Sequence, residues 1–266
     1  MSYANANGIR IYYEQEGSGP DLVLIMGLGA HSGAWALQRH AFAERFRVTV
    51  FDNRGAGRSE APDEPYSIAQ MADDTAALLD TLGIARAHVV GASMGGMIAQ
   101  ELAIRHPARV DRLVLACTRA KAGPVRQLMA PIDLWLREQG LGRAELALLT
   151  MPWGRTAKFV ADPDSVLRQL ELVRADPYPI KTYAYRRQHG AVLAHDTSSR
   201  LGQIAARTLV LVGEEDILTP LSESKVLAAG IPGARLRILP RGGHGFNTEY
   251  PEDFNAAVLE FLCGRD

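Results

Sequence analysis

Short apolar runs alternate along this chain with longer stretches in which apolar residues recur every three or four positions. Leu22-Val23-Leu24-Ile25-Met26, Val48-Thr49-Val50-Phe51, His88-Val89-Val90, Val110–Cys117, Thr208–Gly213 and Arg235–Leu239 are runs of the first kind. The purest of them lack polar alternation, the pattern of strands covered on both faces in a parallel sheet. Near the N-terminus, Asn7-Gly8 between Tyr3–Ala6 and Ile9–Glu16 signals a hairpin turn. Helical spacing predicts helices over Ala34–Arg45, Leu221–Ala229 and Pro251–Leu262. Ser67 caps another, with Ile68, Met71, Ala72, Thr75, Leu79 and Leu82 on one face and Gly83 at its end. A further helix follows Ser93 and stops at His106, before Pro107. Strand alternating with helix predicts right-handed crossovers and a mostly parallel sheet flanked by helices, an α/β class.

The alternation ceases near Thr118. Up to about Ser199 the sequence offers only helical candidates, over Pro124–Gln139, Arg143–Thr150, Ser165–Arg174 and Ile180–His189. Residues 1–117 and 200–266 are therefore expected to form the core, and 118–199 a helical lid laid over it. Insertions of that length in compact domains usually serve function.

Composition narrows the class without naming a chemistry. A hydrophobic fraction of 47% with 22% charged residues is ordinary for a soluble globular chain. A net charge of −1 gives no reason to expect nucleic acid or an anionic membrane as partner. No apolar run is long enough for a membrane span, and Met1-Ser2-Tyr3-Ala4-Asn5 lacks the regions of a signal peptide. A cytoplasmic location is the expectation. Cys117 and Cys263 read as small hydrophobes, not a disulfide framework or metal site. Internal repeats and low-complexity segments are absent, and the sequence is silent on oligomeric state.

Candidate chemistry centres on Gly91-Ala92-Ser93-Met94-Gly95, where a buried strand turns sharply into a helix. Alone, Ser93 could be a helix N-cap. A serine hydroxyl acting as nucleophile needs a base, and the base needs an orienting group. Two later loops leave strands at the carboxyl edge, where sites in parallel sheets form. One carries Glu214, Glu215 and Asp216; the other carries Gly242-Gly243-His244-Gly245. Asp216 is the chosen acid, since Glu214 and Glu215 sit nearer the strand end and read as a solvated face. His244 is the chosen base. His40, His88, His106, His189 and His195 have structural readings, while His31 keeps a possible substrate contact. An oxyanion would need two donors. The Met94 N–H is one, and the Leu28 N–H, flanked by Gly27 and Gly29, is the other; a plain strand-to-helix turn is the competing reading of that loop. Asp52, Arg54 and Ser59 read as locks on neighbouring loops. In the lid, Met129, Trp135 and Trp153 are candidate pocket residues, although packing of lid on core is the default role for such side chains.

Together the elbow, the Asp52–Ser59 loop, the Asp216 loop and the Gly-Gly-His244 turn resemble the α/β-hydrolase superfamily over nearly the whole chain. The nearest likeness is to its serine-nucleophile lidded branch: carboxylesterases, 3-oxoadipate enol-lactonases, anthracycline methylesterases and cofactor-free haloperoxidases. The resemblance implies an eight-stranded, mostly parallel sheet with a helical lid after the sixth strand. It implies Ser93, Asp216 and His244 as triad and Leu28 and Met94 as oxyanion donors. Ser93 departs from dehalogenases and epoxide hydrolases, which carry aspartate at the elbow. Met26 stands where many members have histidine, and Gly245 where carbon–carbon bond hydrolases often have tryptophan. The expected function is a serine hydrolase of esters or lactones of small, fairly apolar substrates, with no metal or cofactor. Carbon–carbon bond hydrolysis, perhydrolase or haloperoxidase chemistry, and a ligand sensor on the same fold are the alternatives.

Overall fold

A computed structural model describes residues 2–264. Eight strands form one sheet: β1 (Ser2–Ala6), β2 (Ile9–Glu16), β3 (Asp21–Ile25), β4 (Arg47–Phe51), β5 (Ala87–Ala92), β6 (Val110–Ala116), β7 (Arg207–Gly213) and β8 (Arg235–Leu239). Their order is β1-β2-β4-β3-β5-β6-β7-β8. The β1–β2 and β2–β4 pairs are antiparallel and all others parallel. The helices before the seventh strand are α1 (Ala36–Ala43), α2 (Ile68–Thr81), α3 (Met94–Arg105), α4 (Pro124–Glu138), α5 (Arg143–Gly154), α6 (Ala157–Val160), α7 (Pro163–Ala175) and α8 (Thr182–Ala194). After it come α9 (Leu221–Gly230), α10 (Phe246–Glu249) and α11 (Pro251–Cys263).

The two-residue period of the strands divides the apolar residues into two cores. Val23, Ile25, Val89, Leu113, Leu115 and Val210 point to one face and meet α2, α3 and α9. Their neighbours Leu22, Leu24, Val90, Val114 and Leu211 point to the other and meet Trp35, Phe42 and the aromatic residues of α11. This two-sided cover is why the central strands carry no polar alternation. The predicted hairpin forms on Asn7 and Gly8, both at positive φ (48° and 78°), as its turn demands.

Between β6 and β7 the chain is helical from α4 to α8. It leaves and returns through one pair of adjacent segments, with Lys121 bridged to Asp196 and Thr197 N–H donating to Ala120 O at 2.9 Å. Three helices there run longer than their patterns suggest, α5 reaching Gly154 where its pattern stops at Thr150. Asp162 caps α7 and draws its start back to Pro163. Helix α8 continues through Gly190 because Ala191 and Val192 are buried against the core, which outweighs the roughly 1 kcal/mol helix penalty of glycine. The short α6 and α10 have too few residues to show a period.

One buried ion pair ties three distant segments together. Arg54, on the loop after β4, donates twice to Asp74 of α2, at 2.5 and 2.6 Å, and Asn7 of the hairpin donates to the same carboxylate at 2.7 Å. Asp74→Ala would leave Arg54 buried with only Glu64 nearby, at 3.6 Å. The expected loss is about 3 kcal/mol of stability, read from the urea unfolding midpoint.

His195, just after α8, is also buried, and burial pulls its pKa down to about 4, against the smaller opposing pull of Glu101. The unfolded chain, with an ordinary histidine near 6.5, binds the extra proton first as pH falls. Stability is therefore full above about pH 6.5 and declines toward pH 4, by about 3 kcal/mol from this residue. Comparing urea unfolding of the native chain and His195→Gln from pH 7 to pH 4 should show a shallower decline in the variant.

Candidate active site

Ser93 lies between β5 and α3 with φ +56° and ψ −120°, a conformation that side-chain-bearing residues seldom adopt. Glycine is obligatory on both sides for reasons of space. A Cβ on Gly91 would meet Gly95 O at 2.3 Å, and one on Gly95 would meet Ile25 O at 2.0 Å. The turn is clamped from β6 as well: Ser93 N–H donates to Ala116 O at 3.0 Å, and Thr118 Oγ1 donates to Ser93 O at 2.7 Å.

His244, on the loop after β8, places Nε2 at 2.9 Å from Ser93 Oγ and Nδ1 at 3.0 Å from Asp216 Oδ2. Asp216 is buried and accepts from Leu218 N (2.9 Å), Thr219 N (2.8 Å) and Thr219 Oγ1 (2.6 Å). Burial alone would raise its pKa, but His244 and Thr219 outweigh that and hold the carboxyl below its ordinary value. A carboxylate at this position favours the imidazole tautomer with Nδ1 protonated, leaving Nε2 as acceptor toward the serine. Glu214 and Glu215 are exposed, so the acid of this loop that turns inward is Asp216. The other histidines have different partners: His40 meets Glu16, His88 meets Asp111, His106 meets Asp73 and His189 meets Arg126. His31 is turned to Asp176 at 3.1 Å and does not line the cavity beside Ser93.

The Gly27-Leu28-Gly29 loop follows β3 and lies against the same cavity as Met94. Met94 opens α3, so its N–H has no intrahelical acceptor. The loop is fixed from both sides. Asn53 Nδ2 donates to Met26 O at 2.9 Å, and Gly29 N–H donates to Oε1 of Gln188 at 2.9 Å. Gln188, buried on α8, donates in turn to Arg54 O at 2.8 Å. Asp52 accepts from Ser32 N–H and Arg58 N–H, both at 2.8 Å, and Ser59 Oγ donates to Asp52 O. The residues read from sequence as loop locks thus make locking contacts. The helical segment reaches the histidine loop too, through Gly245 N–H to Gly154 O at 2.8 Å and Arg155 to Gly245 O at 3.0 Å.

A cavity of about 360 Å³ opens on Ser93 and His244. Of the three candidate pocket residues, Met129 and Trp153 line it and Trp135 does not. Trp135 is 57% exposed, because the inward stripe of α4 runs through Met129, Asp133 and Arg137, and Trp135 falls off that stripe. The wall is also less apolar than the sequence suggests, since Arg119, Arg126 and Arg137 belong to it. These arginines and Thr219 are not among the residues expected at the site. The spacing 126, 129, 133, 137 on one helical face was an available signal, as was a threonine three residues beyond Asp216. Gln188 carried none, because its partner Gly29 is 159 residues away.

Known proteins similar to this chain point in one direction. The family model described as alpha/beta hydrolase fold matches residues 20–249. A protein of Caulobacter sp. (strain K31) named "Putative carbamate hydrolase RutD" is 36% identical over 264 residues, covering 96% of each chain. The enol-lactonase from Burkholderia xenovorans LB400 is similar in structure, with TM-score 0.88 and 32% identity, over 98% of this chain and 100% of that one. A thermophilic esterase from Thermogutta terrifontis gives TM-score 0.84 at 27% identity, over 96% and 93%. No described helix is long and apolar enough to cross a membrane. With the elbow, the sheet order and these likenesses in agreement, the chain belongs to the α/β-hydrolase fold family, on its esterase- and lactonase-like side, and is a hydrolase.

Proposed function

We propose that the protein is a serine hydrolase that cleaves small carboxylic esters or lactones through an acyl-enzyme. The observation that carries this reading is the continuous contact from Ser93 Oγ through the His244 ring to the buried Asp216 carboxylate. Ser93 Oγ attacks the acyl carbon as His244 Nε2 takes its proton, and Asp216 stabilises the imidazolium. The carbonyl oxygen, now negative, accepts from the Leu28 and Met94 N–H groups, and the helix dipole of α3 adds to their field. Collapse expels the alkoxide, which receives the proton from His244; in a lactone it stays attached to the acyl group. Water then repeats the cycle on the acyl-serine, with His244 as base. The helices of residues 118–199 act as lid, and Met129 and Trp153 give an apolar surface to the carbon skeleton.

The same attack opens a carbamate carbonyl, the group in the name of the Caulobacter relative, so a carbamate belongs in the substrate panel beside aryl esters and enol-lactones. An activated short-chain ester should release its alcohol in a burst followed by steady turnover. Ser93→Ala should lower kcat by about 10⁴-fold or more. Undiminished turnover in that variant would overturn the reading.

Gln188 acts on the oxyanion donors through Gly29 and Arg54. Because those donors are used most in the transition state, Gln188→Ala should lower kcat about 10- to 100-fold with little change in KM. Labelling of Ser93 by a fluorophosphonate, followed over time, should slow in parallel; an unchanged kcat would show that the loop holds its shape alone.

A further inference from the structure

The cavity beside Ser93 carries more positive charge than an apolar substrate needs. Arg119 lies on the loop after β6, and Arg126 and Arg137 share the inward face of α4. Asp133 is the single carboxylate residue in the same wall, and it is engaged by Arg126 at 2.6 Å. Arg126 also donates to Nε2 of the buried His189, at 3.2 Å. Arg137 sits 3.6 Å over the ring of Tyr185, and no carboxylate among the described residues pairs with it.

Arg119 is the most telling of the three. It is 4% exposed, yet its contacts are long: Glu223 at 3.5 Å and Leu218 O at 3.3 Å. Its Nε is buried with no hydrogen-bond partner. Burial pulls its pKa down and Arg126 adds repulsion, while Glu223 and Asp216 only oppose this. A buried guanidinium with an unmade donor is costly, and an acceptor brought by a ligand would relieve it. A flat, doubly accepting group suits a guanidinium fork better than a lone hydroxyl does.

We propose that the cavity takes an anionic substrate, an ester or lactone bearing a second, free carboxylate that docks on Arg119 under the field of Arg126 and Arg137. The inference rests on the reading of Ser93 as the nucleophile and replaces the expectation of a fairly apolar substrate with a specific one. The carboxylate anchors one end of a short carbon chain whose other end presents the acyl carbon to Ser93. Met129 and Leu28 flank the methylene groups between them. The cavity of about 360 Å³ is at the small end of ligand pockets, which favours a compact molecule.

The test compares two esters of equal length, mono-4-nitrophenyl glutarate and 4-nitrophenyl valerate, which differ by a carboxylate in place of a terminal methyl. The native chain should turn over the glutarate ester with a kcat/KM at least about tenfold higher. Arg119→Gln should cut that ratio by about tenfold, and Arg137→Gln, which breaks no ion pair, should lower it less. The native ratio decides even if Arg119→Gln fails to fold. Equal turnover of both esters, or preference for valerate, would overturn the proposal. A second measurement separates it from the hydrolase reading: calorimetric binding of monomethyl glutarate and methyl valerate to Ser93→Ala. If neither aryl ester is hydrolysed, selective binding of the glutarate sustains the anion site while the reading of Ser93 falls. Absence of that selectivity overturns the anion site itself.

Discussion

A serine held at positive φ is the constraint on which the rest of this molecule turns. Such a conformation costs about 1–3 kcal/mol and persists only where the surroundings over-determine it. Here the surroundings are the ends of two neighbouring parallel strands: β3, whose Ile25 carbonyl packs against Gly95, and β6, whose Ala116 carbonyl receives the Ser93 amide. The strand register that brings those carbonyls to one level also sets the loops after β3 and β6 beside the turn. The Gly27-Leu28-Gly29 loop and the Arg119 loop thus inherit their positions from the same parallel pairing.

A second layer of order surrounds that turn and comes from polar contacts between segments far apart in sequence. Asp52 gathers the backbone of the two loops that frame it, and Asp74 of α2 accepts from both Arg54 and Asn7 of the hairpin. Arg54 lends its carbonyl to Gln188, so the loop lock and the helical segment form one hydrogen-bonded chain ending at Gly29. Ionisation of Asp216 follows the same logic, since His244 and three further donors keep the carboxylate charged inside the fold.

Much of this was legible in the residues. Unbroken apolar runs named the central strands because both faces are covered, and Asn7-Gly8 named the hairpin because few pairs accept its dihedrals. Ser93, Asp216 and His244 were legible because each stands at a strand end among residues that force a turn. The cavity wall was not. Trp135 looks like a pocket residue by type, but helical phase turns it outward, and that phase depends on how α4 settles over the core. Gly190 looks like a helix end, yet buried neighbours carry α8 past it. Arginine reads as surface until the structure buries it, as with Arg119.

The bond from Gly29 to Gln188 has a mechanical consequence. Helix α8 is at once part of the roof and part of the scaffold, so lifting it away from the sheet would release the Gly27-Leu28-Gly29 loop. Gly154 and Arg155 impose the same condition on the histidine loop. Under the mechanism proposed above, opening at either seam would undo the assembly of the reacting groups, so a gaping cavity would be chemically idle.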